Sequence, residues 1–217
     1  MLSVRQTIYG DRAFCFECYR PKSSCMCKYI EKIQTKTKFV ILMHPKEFKK
    51  VKNNTGRFTH LSLPNSELFI GVDFTEHRRI NEIIQTHQSY ILFPSDSAHD
   101  LSKEPLQKSS NPYAIFLIDS TWACTKSIFR ESRNLQTLPF LSFTTDKTSR
   151  YEIKEQPESH FLSTMESTQV VLELLVQYGL EQIEAKKLQG FLRPFEKMVA
   201  YQKSIIENLK SHAVRFR

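Results

Sequence analysis

The segment YAIFLIDSTWACTKSIF, residues 113–129, contains the transition that decides the fold class. Its first part is an apolar run of strand length that ends at a carboxylate, Asp119. Two hydroxyl residues and the only tryptophan of the chain, Trp122, come next, and a helical pattern begins near Ser120. A buried strand that leads into a helix is the repeating unit of α/β proteins, so Asp119 is predicted at the carboxyl end of a strand.

The same alternation of strand and helix continues on both sides of this segment. Short apolar runs of strand type occur at residues 38–44, 66–72, 90–94 and 138–143. Helical patterns occur at residues 45–54, at 76–88, and from residue 163 almost to the C-terminus. The polar residues 95–112 are predicted to form a loop. We therefore predict an α/β fold with a mainly parallel sheet.

The composition limits the classes of partner. The chain has 217 residues and a formal net charge of +8, which favours a polyanionic partner such as RNA or DNA. No apolar run reaches the roughly 18 residues of a membrane-spanning helix, and residues 1–15 contain no apolar signal core. We expect a cytoplasmic protein that does not contact membranes and needs no obligate protein partner.

Four of the five cysteines are clustered in CFECYRPKSSCMC, residues 15–27. Close pairs of thiolates are typical of a tetrahedral structural zinc site, whose ligands here would be Cys15, Cys18, Cys25 and Cys27. An iron–sulfur cluster or free thiols are the alternatives. A metal would replace the core that so short a segment cannot build, so we predict a zinc-binding module at residues 1–34 and a second domain at 35–217.

A basic stretch, HPKEFKKVKNNTGR, follows the first predicted strand. Lys46, Lys49 and Lys50 would share one helix face, and the polar turn that ends at Gly56 would let a phosphate approach the backbone. The alternative is a solvated basic helix with an ordinary C-terminal cap. His44, directly after the strand, is either a ligand contact or a buried histidine.

Asp119 and Trp122 each have two interpretations from their residue types. Ligands of parallel α/β sheets bind beyond the carboxyl ends of strands, where Asp119 is predicted to lie. Asp119, Ser120 and Thr121 are equally suited to cap the following helix. Trp122 can be a core residue or a stacking surface.

Four motifs in order resemble the DTW-domain family. They are CFECYRPKSSCMC, MHPKEFKKVKNNTGR, the signature DSTW at residues 119–122, and STMES at residues 163–167. The resemblance extends over nearly the whole chain. It implies a tRNA-uridine aminocarboxypropyltransferase, an enzyme that moves the 3-amino-3-carboxypropyl group of S-adenosylmethionine to N3 of a tRNA uridine. It also implies a SPOUT-like fold with a C-terminal trefoil knot.

The resemblance also gives roles to particular residues. The expected catalytic residues are Asp119, Thr121 and Trp122. The expected S-adenosylmethionine-binding residues are Asp119, Ser163, Thr164 and Glu166. The expected RNA-binding residues are His44, Lys46, Lys49, Lys50, Asn54, Thr55 and Arg57. Ser163 and Glu166 also fit a helix capping box.

The sequence departs from the family pattern at two positions. Ser167 stands where the last motif usually has alanine, and Lys154 stands where an arginine is common. Lysine cannot form the bidentate pair of arginine with a carboxylate or phosphate, so the change concerns the cofactor pocket. Two other functions fit the same residues: a SPOUT-type RNA methyltransferase, and a non-catalytic, zinc-bearing RNA-binding module.

Overall fold

The computed structural model describes residues 13–50, 54–150 and 162–215. A small hairpin pairs two short antiparallel strands, β1 (Phe14–Cys15) and β2 (Arg20–Pro21). The main sheet has six strands, and all of its pairings are parallel. These strands are β3 (Lys38–Met43), β4 (Ser66–Ile70), β5 (Gln88–Leu92), β6 (His99–Asp100), β7 (Tyr113–Asp119) and β8 (Phe140–Ser142). Their order across the sheet is β4-β3-β7-β5-β8-β6.

Helices connect the strands and cover the sheet. The α-helices are α1 (Pro45–Lys50), α2 (Thr55–Ser62), α3 (Arg78–Thr86), α4 (Trp122–Glu131), α5 (Thr164–Gln177), α6 (Ala185–Gly190) and α7 (Arg193–Arg215). Short 3-10 turns lie at Lys22–Ser24, Cys27–Tyr29 and Leu135–Thr137. No helix in the described part of the chain is both long and apolar enough to cross a membrane.

The two faces of the sheet carry separate hydrophobic cores, because successive side chains of a strand point to opposite faces. Phe39 and Ile41 of β3 belong to one core with residues of α2, α5 and α7. Val40 and Leu42 of the same strand belong to the other core with residues of α3 and α4. The fold is therefore a three-layer α/β/α arrangement.

The two cores also define a switch point at the centre of the sheet, where open α/β sheets commonly form a ligand crevice. Strands β3 and β7 are neighbours, and Met43 pairs with Asp119 at their carboxyl ends. The chain leaves β3 toward α2 on one face and leaves β7 toward α4 on the other. Ligands of open α/β sheets bind where neighbouring strand connections diverge in this way. Asp119 lies at this point.

The predicted α/β class and mainly parallel sheet are confirmed, and the structure differs from the prediction in two places. The polar residues 95–112, predicted as loop, include the short edge strand β6, which pairs with β8. The stretch around Gly56, predicted as a turn, belongs to helix α2, which begins at Thr55. The predicted strand-to-helix passage after Asp119 is present as β7 and α4.

Candidate active site

The Asp119 carboxylate is buried and held by two side chains from distant parts of the chain. Asp119 is only 7% exposed. Its Oδ2 accepts a hydrogen bond from Asn54 Nδ2 at 2.5 Å, and its Oδ1 accepts one from Thr164 Oγ1 at 2.7 Å. Because each oxygen has its own donor, the plane of the carboxylate is fixed.

Both donors lie at the start of a helix. Asn54 caps α2, because its Oδ1 accepts the backbone N–H of Arg57 at 2.8 Å. Thr164 is the first residue of α5. The positive ends of helix dipoles stabilise a nearby negative charge. The fold therefore provides a favourable environment for an ionised carboxylate at this position.

Gly56 allows α2 to come this close to Asp119. A Cβ atom at Gly56 would lie 2.6 Å from Oδ2 and 2.7 Å from Cγ of Asp119, which is much shorter than a normal contact. The predicted close approach to the Gly56 backbone is thus made by the carboxylate of Asp119. A side chain at this position would displace that carboxylate.

His44 lies beside Asp119 at the end of β3. Its backbone N–H donates to the Asp119 carbonyl at 3.2 Å, and its Nδ1 accepts the Lys46 amide at 3.1 Å. Burial lowers the pKa of His44, and the charge of Lys46 lowers it further. The imidazole is therefore neutral at pH 7 and contributes no positive charge there.

Thr121, and not Asp119, caps helix α4. The Thr121 side chain accepts from the Cys124 amide at 3.5 Å, and Trp122 is the first residue of the helix. Trp122 is 39% exposed, and its ring lies 5.7 Å from that of Phe93, which follows β5. Trp122 is thus partly exposed and packs against Phe93 at the same edge of the sheet as Asp119.

Ser163 and Glu166 form the predicted capping box at the start of α5. The Glu166 carboxylate is buried and accepts three hydrogen bonds: from the Ser163 amide at 2.8 Å, the Arg150 amide at 2.7 Å and Ser149 Oγ at 3.0 Å. Glu166 therefore ties the segment that follows β8 to the start of α5. Residues 151–161, which include Lys154, lie outside the described part of the chain.

The residues predicted to bind RNA differ in their exposure to solvent. Lys46 and Lys49 are exposed on α1, and the side chain of Lys50 lies outside the described residues. Thr55 is buried in the first turn of α2. Arg57 lies between, with its guanidinium 4.1 Å from the Tyr19 ring and 5.2 Å from the Phe48 ring.

Arg57 interacts electrostatically both with the cysteine-rich hairpin and with Asp119. Burial lowers the pKa of Arg57, whereas Tyr19, Cys18 and Asp119 act in the opposite direction. A guanidinium keeps its charge at neutral pH despite this burial, because it is the strongest base among the side chains. Arg57 thus supplies a positive charge close to Asp119.

Two contacts at this site were not predicted from the sequence. The bond from Asn54 joins residues 65 positions apart, and the bond from Thr164 joins residues 45 positions apart. Asn54 and Thr164 were predicted to contact RNA and cofactor, respectively. A single sequence has no signal for such pairings, although polar residues that precede two helices are a hint that both can hold an anion.

The four clustered cysteines have the geometry of a metal site. The Cys15 and Cys27 sulfurs are 3.7 Å apart, and so are those of Cys18 and Cys25. All four sulfur atoms lie within 4.8 Å of one another. With Zn–S bonds of about 2.3 Å, the edge of a ZnS4 tetrahedron is about 3.8 Å. The residues present fit a zinc ion that has no open coordination position.

Three of these thiols differ in the direction in which their pKa is shifted. The Cys18 amide lowers the pKa of the Cys15 thiol to about 7, whereas burial raises the pKa of Cys18 and Cys27. Thiolates, not thiols, ligate zinc, so metal binding must release protons from the buried cysteines. Metal affinity is therefore expected to weaken as the pH falls.

Replacement of one ligand tests the metal site. We expect Cys18→Ser to lower the bound zinc from about one ion per chain to near zero, because three thiolates no longer close a tetrahedron. The loss of the metal should also lower the melting temperature of the protein, because the hairpin would no longer be held by its bonds to the metal. Metal analysis and thermal unfolding measure both effects. Cys124→Ser, a change in α4 outside the cluster, is the matched control, and equal zinc content in both variants would contradict the assignment.

The chain matches a known protein family and resembles named proteins. The DTW domain model matches residues 12–203. The chain is similar to mouse tRNA-uridine aminocarboxypropyltransferase 2, with 28% identity over 196 residues, which is 88% of this chain and 64% of the relative. It is also similar to the Drosophila melanogaster protein of the same name, with 29% identity over 195 residues, 87% of this chain and 74% of the relative. No solved structure matches.

Proposed function

The chain belongs to the DTW-domain family, and from this premise we propose that it is a tRNA-uridine aminocarboxypropyltransferase. In the proposed reaction, the 3-amino-3-carboxypropyl group of S-adenosylmethionine is transferred to N3 of a tRNA uridine. The names of the mouse and fly relatives support this activity. The single observation that carries it is the buried Asp119 carboxylate, fixed by Asn54 and Thr164 at the switch point of a parallel sheet.

The chemistry requires a base. The N3–H of uridine is a weak acid, and N3 must lose its proton before it can attack carbon. Asp119 accepts this proton as general base. The N3 electron pair then forms a bond to the γ-methylene of the methionine portion, and the C–S bond breaks. Its electrons neutralise the sulfonium, so methylthioadenosine leaves without a general acid.

Most of the rate enhancement comes from orientation. A transferase that moves the aminocarboxypropyl group must present the γ-methylene, and not the methyl group, in line with N3. Asp119 suits this task because the bonds from Asn54 and Thr164 hold its plane. Trp122 contributes either by stacking on the uracil or by packing beside Asp119.

The start of α5 is the proposed contact with the methionine end of the co-substrate. Ser163 and Thr164 lie there, and a helix N-terminus favours a carboxylate ligand. Glu166 acts indirectly, because its carboxylate binds Ser149 and the Arg150 amide and holds that segment against α5.

Exposed basic side chains beside the switch point support tRNA as the substrate. Lys46 and Lys49 share one face of α1, and α1 follows the His44 end of β3. They would bind phosphates, which makes tRNA affinity salt-dependent. N3 is blocked in a paired uridine, so the target must be unpaired or flipped out of its helix.

The finer architectural assignments belong to the same proposal. The zinc module comprises residues 1–34 and the catalytic domain residues 35–217. The proposed catalytic domain is SPOUT-like with a C-terminal trefoil knot, an assignment that rests on the resemblance to the DTW-domain family. The reduced cysteines of the zinc module are compatible with a cytoplasmic location. The chain spans 64% of the length of the mouse relative. The activity is proposed for this chain.

The proposal is tested with purified protein, S-adenosylmethionine and unmodified tRNA. We expect nucleosides from the treated tRNA to contain a uridine heavier by one aminocarboxypropyl group, together with an equal amount of released methylthioadenosine. A methylated nucleoside with S-adenosylhomocysteine would instead identify a SPOUT-type methyltransferase. Tight tRNA binding without any transfer would identify a non-catalytic RNA-binding module.

A further inference from the structure

An exposed aromatic surface lies next to the candidate active site. It consists of Phe14, Phe16, Tyr19 and Phe48, and we call it the aromatic patch. The rings form a continuous series of edge-to-face contacts, with centroids 6.3 Å apart for Phe14 and Phe16, 6.1 Å for Phe14 and Tyr19, and 5.7 Å for Tyr19 and Phe48. The cysteine-rich hairpin supplies three rings, and α1 supplies the fourth.

The aromatic patch is open to solvent to an unusual degree. Phe16 is 83% exposed, Tyr19 48% and Phe48 36%. Phenylalanine is normally among the most buried residues. Tyr19 also has a positive φ of 54°, a conformation that residues with a side chain rarely adopt. An aromatic ring is thus kept at the surface at a backbone position that suits glycine.

One cation packs on these rings, and two more lie on the helix that supplies Phe48. The Arg57 guanidinium lies over both Tyr19 and Phe48, and Lys46 and Lys49 are exposed on the same helix as Phe48. Protein–protein interfaces are depleted in lysine, whereas surfaces that bind single-stranded nucleic acids combine aromatic rings with lysine and arginine. The composition therefore favours an RNA ligand.

The patch is also directly connected to Asp119. Arg57 packs on Tyr19, and its backbone N–H binds Asn54, whose amide group in turn binds the Asp119 carboxylate. A nucleotide on the patch would therefore be a near neighbour of a nucleotide at Asp119. Both nucleotides could then belong to one unpaired RNA segment.

We propose that the aromatic patch is a stacking platform for an unpaired tRNA base that neighbours the target uridine. The inference rests on the proposed function. Phe16 and Tyr19 supply the ring faces, and Lys46, Lys49 and Arg57 neutralise the adjacent phosphates. Stacking is tolerant of base identity because every base has a π-face, so the platform would hold the unpaired segment open without reading its sequence.

Phe16 is the residue to change, because so exposed a side chain can be replaced with little loss of packing. We expect Phe16→Ala to raise the KM for tRNA and the Kd for a single-stranded oligonucleotide about tenfold. The KM for S-adenosylmethionine and the kcat should stay at their wild-type values. Phe16→Trp should retain affinity, and Phe16→Leu, which keeps apolar surface but removes the ring, should behave like Phe16→Ala.

Salt dependence separates stacking from charge. A plot of the logarithm of tRNA affinity against the logarithm of salt concentration should have the wild-type slope for Phe16→Ala. For Lys49→Ala the magnitude of that slope should fall by about one. Ile206→Ala, which removes an exposed apolar side chain from α7, is the matched control and should behave like wild type.

Two results would overturn the platform: an unchanged oligonucleotide Kd in Phe16→Ala, or full affinity in Phe16→Leu, which would indicate a non-specific apolar contact. Failure of the proposed function is recognised separately. In that case wild-type protein would not modify tRNA, while the oligonucleotide measurement would still decide whether the patch binds unpaired bases.

Discussion

Replacement of Asp119 by asparagine is expected to lower the rate of transfer about 10²- to 10⁴-fold while the fold is retained. Asparagine has nearly the same shape, but its amide cannot take the proton from uridine N3. Its Oδ1 can still accept from Asn54, and its NH2 group can donate to Thr164, whose hydroxyl serves as donor or acceptor. The variant therefore removes the base while both positions of the carboxylate keep a hydrogen-bonding partner.

Single-turnover kinetics with saturating tRNA and S-adenosylmethionine measure this effect. The dissociation constant for tRNA should change little, because the substitution leaves the exposed Lys46 and Lys49 untouched. Rates within a factor of two of wild type would show that Asp119 is not the base, even if the reaction itself is confirmed.

Gly56→Ala is expected to lower activity about 10²-fold through a single methyl group. The added Cβ would lie 2.6 Å from Asp119 Oδ2, so the carboxylate must move or turn away from Asn54. The helix itself tolerates the change, because alanine is the better helix former. We expect the loss to appear in kcat per folded molecule, measured by steady-state transfer, and the broken contact with Asn54 to lower the melting temperature as well.

Gly179→Ala is a control with a different expected effect, on stability and not on activity. Gly179 has a φ of +71° at the end of α5, and its added Cβ would meet nothing within 4 Å. An alanine there is strained and should lower the melting temperature, with activity per folded molecule unchanged. If Gly56→Ala behaved like Gly179→Ala, the close packing on Asp119 would have no catalytic importance.

The sequence predicted the elements that carry a strong local signal. Strands such as β3 and β7 are continuous apolar runs because both of their faces are covered, and helix α5 begins at a capping box. Strand β6 was missed because two residues inside a polar stretch have no periodicity. Gly56 was assigned to a turn, because glycine is more common in turns than in a first helical turn.

The candidate site was only partly predictable. Asp119 and the four clustered cysteines could be located from a strand end and from cysteine spacing, which are local features. The roles of Asn54 and Thr164 were not predictable, because each depends on which helix start the fold brings to Asp119. The exposed rings of Phe16 and Tyr19 were also missed, because aromatic residues beside cysteines are usually expected to be buried.

Differential labelling of S-adenosylmethionine shows whether Asp119 promotes transfer of the aminocarboxypropyl group to tRNA. S-adenosylmethionine is labelled either in its carboxyl carbon or in its methyl group, and each form is incubated with tRNA and with wild-type protein or Asp119→Asn. We expect only the carboxyl label to enter tRNA, and we expect Asp119→Asn to incorporate almost none. Incorporation of the methyl label, or full incorporation by Asp119→Asn, would contradict that expectation.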